Sequence, residues 1–140
     1  MKYLRGFFTA VLLLLVSTNV MAAGLKVIAN PSVAANAISA DDLRDVFLQE
    51  KSTLSDGSRV APVLAKGGPA HETFVKQFLG KTSDTLQTYY RSLVFTGKGS
   101  MPKMLNTDTE MVSYIAKTKG AIGYVNADAS LEGVKTLEVK

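Results

Sequence analysis

The alternation of apolar and polar positions predicts short strands separated by helices. Apolar runs without helical spacing predict strands at Leu25–Ala29, Val60–Leu64, Ala121–Val125 and Lys135–Val139. Apolar residues spaced three and four apart predict helices that begin near Ser39, Ala70, Ser83 or Asp84, and Thr107. Strands separated by helices are typical of an α/β fold. The pattern therefore predicts one three-layer domain, with a small mixed sheet flanked by helices.

The helix that Ser83 or Asp84 is expected to cap has the clearest periodicity. Its apolar stripe, predicted to face the core, comprises Leu86, Tyr89, Tyr90, Leu93 and Val94. The glycine-rich segment Phe95–Pro102 follows and predicts a loop. Although this loop contains Gly-Lys-Gly-Ser, it lacks the spacing of a nucleotide-binding phosphate loop and follows a helix instead of a strand. We therefore expect no nucleotide site there.

The first 22 residues have the three parts of a secretory signal peptide. Lys2 and Arg5 precede the apolar run Phe7–Val16, and small residues follow at Ala22 and Ala23. The apolar run is short for a membrane span, although an uncleaved N-terminal anchor is the alternative. We expect a signal peptide over residues 1–22 and a domain over residues 23–140. This predicts a periplasmic or secreted protein that is not an integral membrane protein after cleavage.

Removing this leader changes the charge balance. The whole chain has 16 Lys and Arg against 12 Asp and Glu, and the leader carries two of the basic residues, so 14 and 12 remain. A nearly neutral domain without a basic run predicts no nucleic-acid partner. There is no cysteine and one histidine, which disfavours a metal site or a cofactor. Met101, Met104 and Met111 are interpreted as core residues instead of copper ligands.

The stretch Arg59–Leu79 contains the best candidate site. A strand there breaks at Gly67 and Gly68 and restarts as a helix, whose first N–H groups lack intrahelical partners and can bind an anion. The candidate ligand-binding residues are Lys66, Gly67, Gly68, Ala70 and His71. From these residues alone, a tight turn whose N–H groups bond water competes with a ligand site.

His71 is interpreted as a neutral residue at the mouth of this loop. It falls in the first turn of a helix, where the helix dipole disfavours its charged form. Histidines in such positions are more often solvent-exposed or capping than catalytic. Because no nucleophile and no orienting carboxylate can be assigned beside it, the sequence predicts no enzyme and no catalytic residue.

Three stretches together resemble a known family. They are Ile38–Leu48 (ISADDLRDVFL), Asp56–Val63 (DGSRVAPV) and Lys119–Val125 (KGAIGYV). In this order they are similar to the phosphate-binding members of the type 2 periplasmic solute-binding superfamily, the substrate-binding proteins of phosphate ABC transporters. The resemblance covers nearly all of the chain after the leader. It implies one lobe of the two-lobed fold of that family, in which two lobes close on the oxyanion.

The resemblance also implies a changed ligand site. Where the family has an Arg followed four residues later by Ser-Gly-Thr, this sequence has Ala65 and then Pro69-Ala70-His71. A single lobe supplies hydrogen-bond donors on one side of an anion only. Since a buried charge needs donors on most sides, we expect weak binding unless a homodimer, a membrane transporter or another protein covers the open side.

Two hypotheses follow. The first is an exported, non-catalytic solute-binding protein that holds a small oxyanion such as phosphate at the loop Lys66–His71. The second is a periplasmic protein-interaction module that kept the fold and lost the ligand site, because the Arg, Ser and Thr of the family motif are replaced.

Overall fold

The structure is a computed structural model that describes residues 24–140. The predicted signal peptide over residues 1–22 lies outside the described residues, so the leader and the domain boundary at residue 23 stay predictions. Within residues 24–140, none of the helices has both the length and the apolar character needed to cross a membrane.

Within residues 24–140, six strands form one mixed sheet. They are β1 (Leu25–Ala29), β2 (Ala37–Ile38), β3 (Ala61–Ala65), β4 (Lys103–Leu105), β5 (Ala121–Asn126) and β6 (Lys135–Val139). Their order across the sheet is β2-β6-β1-β5-β3-β4. β3 runs parallel to both β4 and β5, whereas β1 runs antiparallel to β5 and β6. The predicted mixed sheet is confirmed, and β2 and β4 are strands that the apolar pattern did not predict.

In the part of the chain that the structure describes, four α-helices flank the sheet. They are α1 (Ala40–Phe47), α2 (Pro69–Phe74), α3 (Ser83–Phe95) and α4 (Asp108–Lys117), and a π-helical segment, Val75–Leu79, continues α2. The Ser39 hydroxyl accepts from the Asp42 N–H at 3.0 Å, and that of Thr107 accepts from the Glu110 N–H at 3.1 Å. These caps satisfy N–H groups that would otherwise lack partners, and both were predicted.

The two faces of the sheet bury different sets of side chains. Along β5, Ile122 and Tyr124 belong to the core beneath α1 and α2, whereas Ala121 and Val125 belong to the core beneath α4. This alternation is that of a strand buried on both faces, and it confirms the predicted three-layer α/β fold. Gly123 allows α4 to approach closely, since a Cβ atom there would lie 2.8 Å from Ile115 Cδ1.

The cap of α3 differs from the prediction, whereas the helix begins at Ser83 as expected. The N-cap is Thr82 and neither Ser83 nor Asp84, because Thr82 and Thr85 form a reciprocal capping box. Thr82 has the extended backbone that an N-cap requires, with φ −94° and ψ 164°.

The apolar stripe of α3 is only partly buried. Leu86 and Tyr90 are buried, and the hydroxyl of Tyr90 donates to the Phe47 carbonyl at the end of α1. Val94 comes after this contact and is 47% exposed, so its prediction as a core residue was wrong. Phe95, the last residue of α3, is 93% exposed.

Replacing Phe74 tests the packing of α2 on the sheet. Its buried ring lies 4.0 Å from the Tyr124 ring and 4.7 Å from the Phe47 ring, measured between centroids. Phe74→Ala should lower the free energy of unfolding by about 3–5 kcal/mol, measured by urea denaturation. The matched variant Phe95→Ala should change it by less than about 0.5 kcal/mol, because that ring is exposed. A loss below about 1 kcal/mol for Phe74→Ala would contradict this packing.

Candidate functional site

A small cleft lies where three parallel strands end. β3, β4 and β5 run in the same direction, so their carboxyl ends meet at one edge of the sheet. The cleft there has a volume of about 180 Å³. Its lining is formed by Ala65, Gly67, Gly68, Ala70, His71, Asn106, Thr107, Asp108, Met111, Tyr124 and Asn126. Ligands in open α/β sheets bind at such an edge, which makes this cleft the candidate site.

Two helices begin at the cleft. α2 begins after Gly68, whose φ of 99° favours glycine, and no side chain caps its first N–H groups. Pro69 has no N–H and Glu72 N–H bonds to the Gly68 carbonyl, which leaves the N–H groups of Ala70 and His71 without intrahelical partners. At α4 the N–H of Asp108 likewise has no intrahelical partner. The positive ends of two helix dipoles therefore point to one small space.

Hydrogen bonds to Tyr124 connect the start of α2 to the ends of β3 and β5. The Tyr124 hydroxyl accepts from the Ala65 N–H at 3.1 Å and lies 2.5 Å from His71 Nδ1. Among the described residues the Tyr124 hydroxyl has no other acceptor for its own hydrogen, so we assign it as the donor to Nδ1, which places the hydrogen of the neutral His71 on Nε2. Among residues 24–140, Nε2 has no hydrogen-bond partner of its own. Because the Tyr124 hydroxyl bonds to Nδ1, Nε2–H is the free donor that a buried side chain brings to the cleft within the described residues.

His71 is buried, which corrects the expectation of a solvent-exposed or capping histidine. Only 4% of the residue is exposed, because the first turn of α2 packs onto β5. The imidazole stacks with the Tyr124 ring, and their centroids are 6.0 Å apart. Burial lowers the pKa of His71 below its ordinary value of 6.5. Burial also raises the pKa of Tyr124, which keeps the hydroxyl protonated. At neutral pH the pair is therefore uncharged.

Asp108 brings a carboxylate into the cleft at the first position of α4. One of its oxygens accepts from Asn126 Nδ2 at 2.8 Å and from the Asn126 N–H at 3.3 Å. These bonds tie the start of α4 to the end of β5. They also leave the lining with one negative side chain.

The predicted site residues fall into two groups. Gly67, Gly68, Ala70 and His71 line the cleft together, as the sequence placed them. Lys66 is exposed and is not part of the lining. Among the described residues no Lys or Arg lines the cleft, so donors there are backbone N–H groups and neutral side chains.

The sequence did not point to the other half of the cleft. Asn106, Thr107 and Asp108 reach it because they follow β4, a strand of three residues that the apolar pattern did not reveal. Tyr124 and Asn126 reach it from the end of β5. The predicted capping box at Thr107 was the available signal, since a capped helix that follows a strand has its N–H groups at the sheet edge.

Wider grooves, of about 480 to 680 Å³, lie elsewhere on the described surface. The groove of about 560 Å³ runs beside α4 and is lined by the carboxylates Asp108, Asp128 and Glu132 with a single Lys117. We rank the small cleft above these grooves because two helix starts and a buried histidine converge on it. Within residues 24–140 no group of three or more His, Asp or Glu side chains is placed to hold a metal ion.

Several solved structures share this fold. PstS from Borrelia burgdorferi matches with a TM-score of 0.63 and 11% sequence identity, over 84% of this chain and 47% of that one. A Clostridium perfringens protein, described as a phosphate ABC transporter substrate-binding protein and solved with bound phosphate, matches with a TM-score of 0.60 and 13% identity, over 83% and 44%. An ABC-type phosphate transport receptor from Vibrio cholerae matches with a TM-score of 0.55 and 12% sequence identity, over 83% of this chain and 46% of that one.

At these identities the likeness shows the fold alone. This chain spans less than half the length of each of the three structures, and its fold matches a single lobe of such a binding protein. The Clostridium perfringens and Vibrio cholerae structures are described as a substrate-binding protein and a transport receptor. No protein-family model and no curated protein matches the chain.

The burial of His71 predicts a dependence of stability on pH. Because the pKa of His71 is lowered in the folded protein, the unfolded chain takes up a proton first as the pH falls through the ordinary value of 6.5. The stability present above that pH is therefore lost progressively below it. The urea midpoint should fall between about pH 7.5 and about pH 5.5, and His71→Asn should reduce this fall, since Asn does not titrate. An equal fall in both proteins would contradict the neutral, buried state of His71.

Proposed function

We propose that the protein is an exported solute-binding protein that holds a small oxyanion such as phosphate in this cleft. The observation that carries the proposal is the convergence of two helix N-termini and the buried donor His71 on one space of about 180 Å³. Helix N-termini are favourable anion sites because unpaired N–H groups and the helix dipole act in the same direction.

The donor set suits a compact tetrahedral anion. The free N–H groups of Ala70, His71 and Asp108 come from two directions, and His71 Nε2–H adds a side-chain donor. Several short hydrogen bonds to one charge are each stronger than bonds between neutral groups. The phosphate bound to the Clostridium perfringens protein, which has the same fold over 44% of its length, supports phosphate as the first anion to test.

Binding, with no chemical step, is the role that these side chains favour. Among the described residues the lining contains neither Ser nor Cys, and the other side chains there that could act as nucleophile or base already bond elsewhere. The Thr107 hydroxyl caps α4, the Asp108 carboxylate accepts from Asn126, and His71 Nδ1 bonds to Tyr124. A general base needs a nucleophile within hydrogen-bond reach. The site therefore lacks the pair of groups that acyl or phosphoryl transfer would need.

The open side of the cleft indicates the need for a partner. One lobe places donors on one side of the anion, and an incompletely surrounded charge remains in contact with water. We propose that a second copy of this chain or a membrane transporter covers that side in the periplasm. Without such a partner, the dissociation constant should lie in the millimolar range, which corresponds to a binding free energy of about −4 kcal/mol.

The competing hypothesis is an interaction module without a ligand. The exposed apolar side chains Val94, Phe95 and Met101, which lie close together in sequence, would then serve as the contact surface. The preserved helix starts and the likeness to phosphate-binding proteins support the solute-binding role instead. The two hypotheses differ in whether any anion binds.

Gly67 offers a clean test of the cleft. It lines the cleft and its φ is not in the left-handed region, and a Cβ atom added there would meet no atom within 4 Å. Gly67→Glu should therefore fold normally and place a carboxylate beside the anion. We expect it to weaken phosphate binding by about tenfold or more in titration calorimetry, since like charges placed together are unfavourable.

The matched control is Gly67→Gln, which has nearly the same size and no charge. It should lose clearly less affinity than Gly67→Glu. Phe95→Ser, on the exposed end of α3, should bind phosphate like the parent protein. No heat from phosphate, sulfate or carboxylates at millimolar concentration would contradict the proposed function and favour the interaction module.

A further inference from the structure

The side-chain charge of the cleft is unfavourable for a bound anion. The Asp108 carboxylate lines the cleft, and no Lys or Arg does so among the described residues. An anion placed there meets a negative side chain without a positive one to balance it. His71 is the one side chain in this lining that becomes positive by taking up a proton near neutral pH.

The titratable groups nearest to His71 in the cleft or along the chain lie on β5, α4, α2 and the loop before α2. Tyr124 on β5 bonds to its Nδ1, and Asp108 on α4 lines the same cleft. Glu72, the next residue of α2, is exposed and favours the charged imidazole, while Lys66 lies exposed in the preceding loop. In the free protein, burial outweighs the effect of Glu72 and keeps the imidazole neutral.

We propose that the cleft takes up an oxyanion together with one proton from solvent, and that His71 holds this proton. The inference rests on the proposed function, because it assumes that the anion binds in this cleft. When the anion binds, the added proton gives His71 one unit of positive charge that the free site lacks.

The hydrogen-bond network accommodates the added proton without moving the backbone. The proton bonds to Nδ1, whose N–H then donates to the Tyr124 oxygen in place of the present O–H···N bond. That oxygen continues to accept from the Ala65 N–H, so the Tyr124 O–H is free to turn towards the anion. Nε2 keeps its hydrogen. Protonation thus adds a charge and one new donor to the cleft.

The direction of the pH effect follows from linkage. A bound anion stabilises the imidazolium and raises the pKa of His71 above its value in the free protein. Between these two pKa values the complex binds one more proton than the free protein. Affinity therefore increases as the pH falls, by up to about tenfold per pH unit.

Sulfate is the probe for the test, because it does not titrate near neutral pH and any proton taken up must reside on the protein. The full chain is titrated with sulfate at about pH 6.5 in two buffers with different ionisation enthalpies. The difference in apparent binding enthalpy gives the number of protons. We expect uptake of a substantial fraction of one proton, and tighter binding at about pH 5.5 than at about pH 7.5.

A second measurement needs no variant. His71 is the single histidine of the chain, so its imidazole NMR signals are unambiguous. Their titration should move to higher pH when sulfate is present.

His71→Asn, which keeps an acceptor for Tyr124, should bind sulfate more weakly and without proton uptake.

The outcomes separate this inference from the function on which it rests. Sulfate binding with no proton uptake and an unmoved His71 titration would overturn the inference and leave anion binding intact. Proton uptake that persists in His71→Asn and disappears in Asp108→Asn would overturn it as well, because the proton would then reside on Asp108. No binding of sulfate or phosphate at either pH would overturn both.

Discussion

The site depends on the hydrogen bonds of one buried hydroxyl. The Tyr124 oxygen joins the last residue of β3, through the Ala65 N–H, to the first turn of α2, through His71 Nδ1. A buried polar group without a partner is costly, so this three-way contact fixes where the loop after β3 turns and where α2 begins. Phe74 stacks on the Tyr124 ring and holds the same helix from its other end. The orientation of the free N–H groups of α2 follows from these contacts.

A second constraint brings α4 to the same place. Because β3, β4 and β5 are parallel, the helices that follow β3 and β4 both begin at one edge of the sheet. Asp108 and Asn126 tie the start of α4 to the end of β5, and Gly123 permits the close packing of α4 on the sheet. The result is a cleft with two positive helix ends, a carboxylate and a neutral histidine. Among the described residues no Lys or Arg lines this cleft, so its positive character comes from the helix ends.

Prediction from the sequence was correct for the layered α/β fold and for four of the six strands within residues 24–140. It placed Gly67, Gly68, Ala70 and His71 in one loop, and their role in binding stays a prediction. It succeeded where periodicity extends over several residues or where a cap has a defined spacing, as at Ser39 and Thr107. It failed at β2 and β4, because strands of two and three residues show no alternation. Without β4, the loop at Asn106 could not be recognised as a strand end. The burial of His71 was also missed, because it depends on a tertiary contact with Tyr124, 53 positions away. The exposure of Val94 was missed for a similar reason, since it depends on a tertiary contact: α3 meets α1 at Tyr90, before its last turn.

An anion bound between the starts of α2 and α4 would contact the free N–H groups of both helices. Amide NMR of the full chain during a phosphate titration detects such contacts, because N–H groups that bond to an anion change their chemical shifts the most. We expect the largest changes in the two segments 67–71 and 106–109, with a common midpoint. Changes confined to residues 94–101, or the absence of any saturable change, would contradict this expectation.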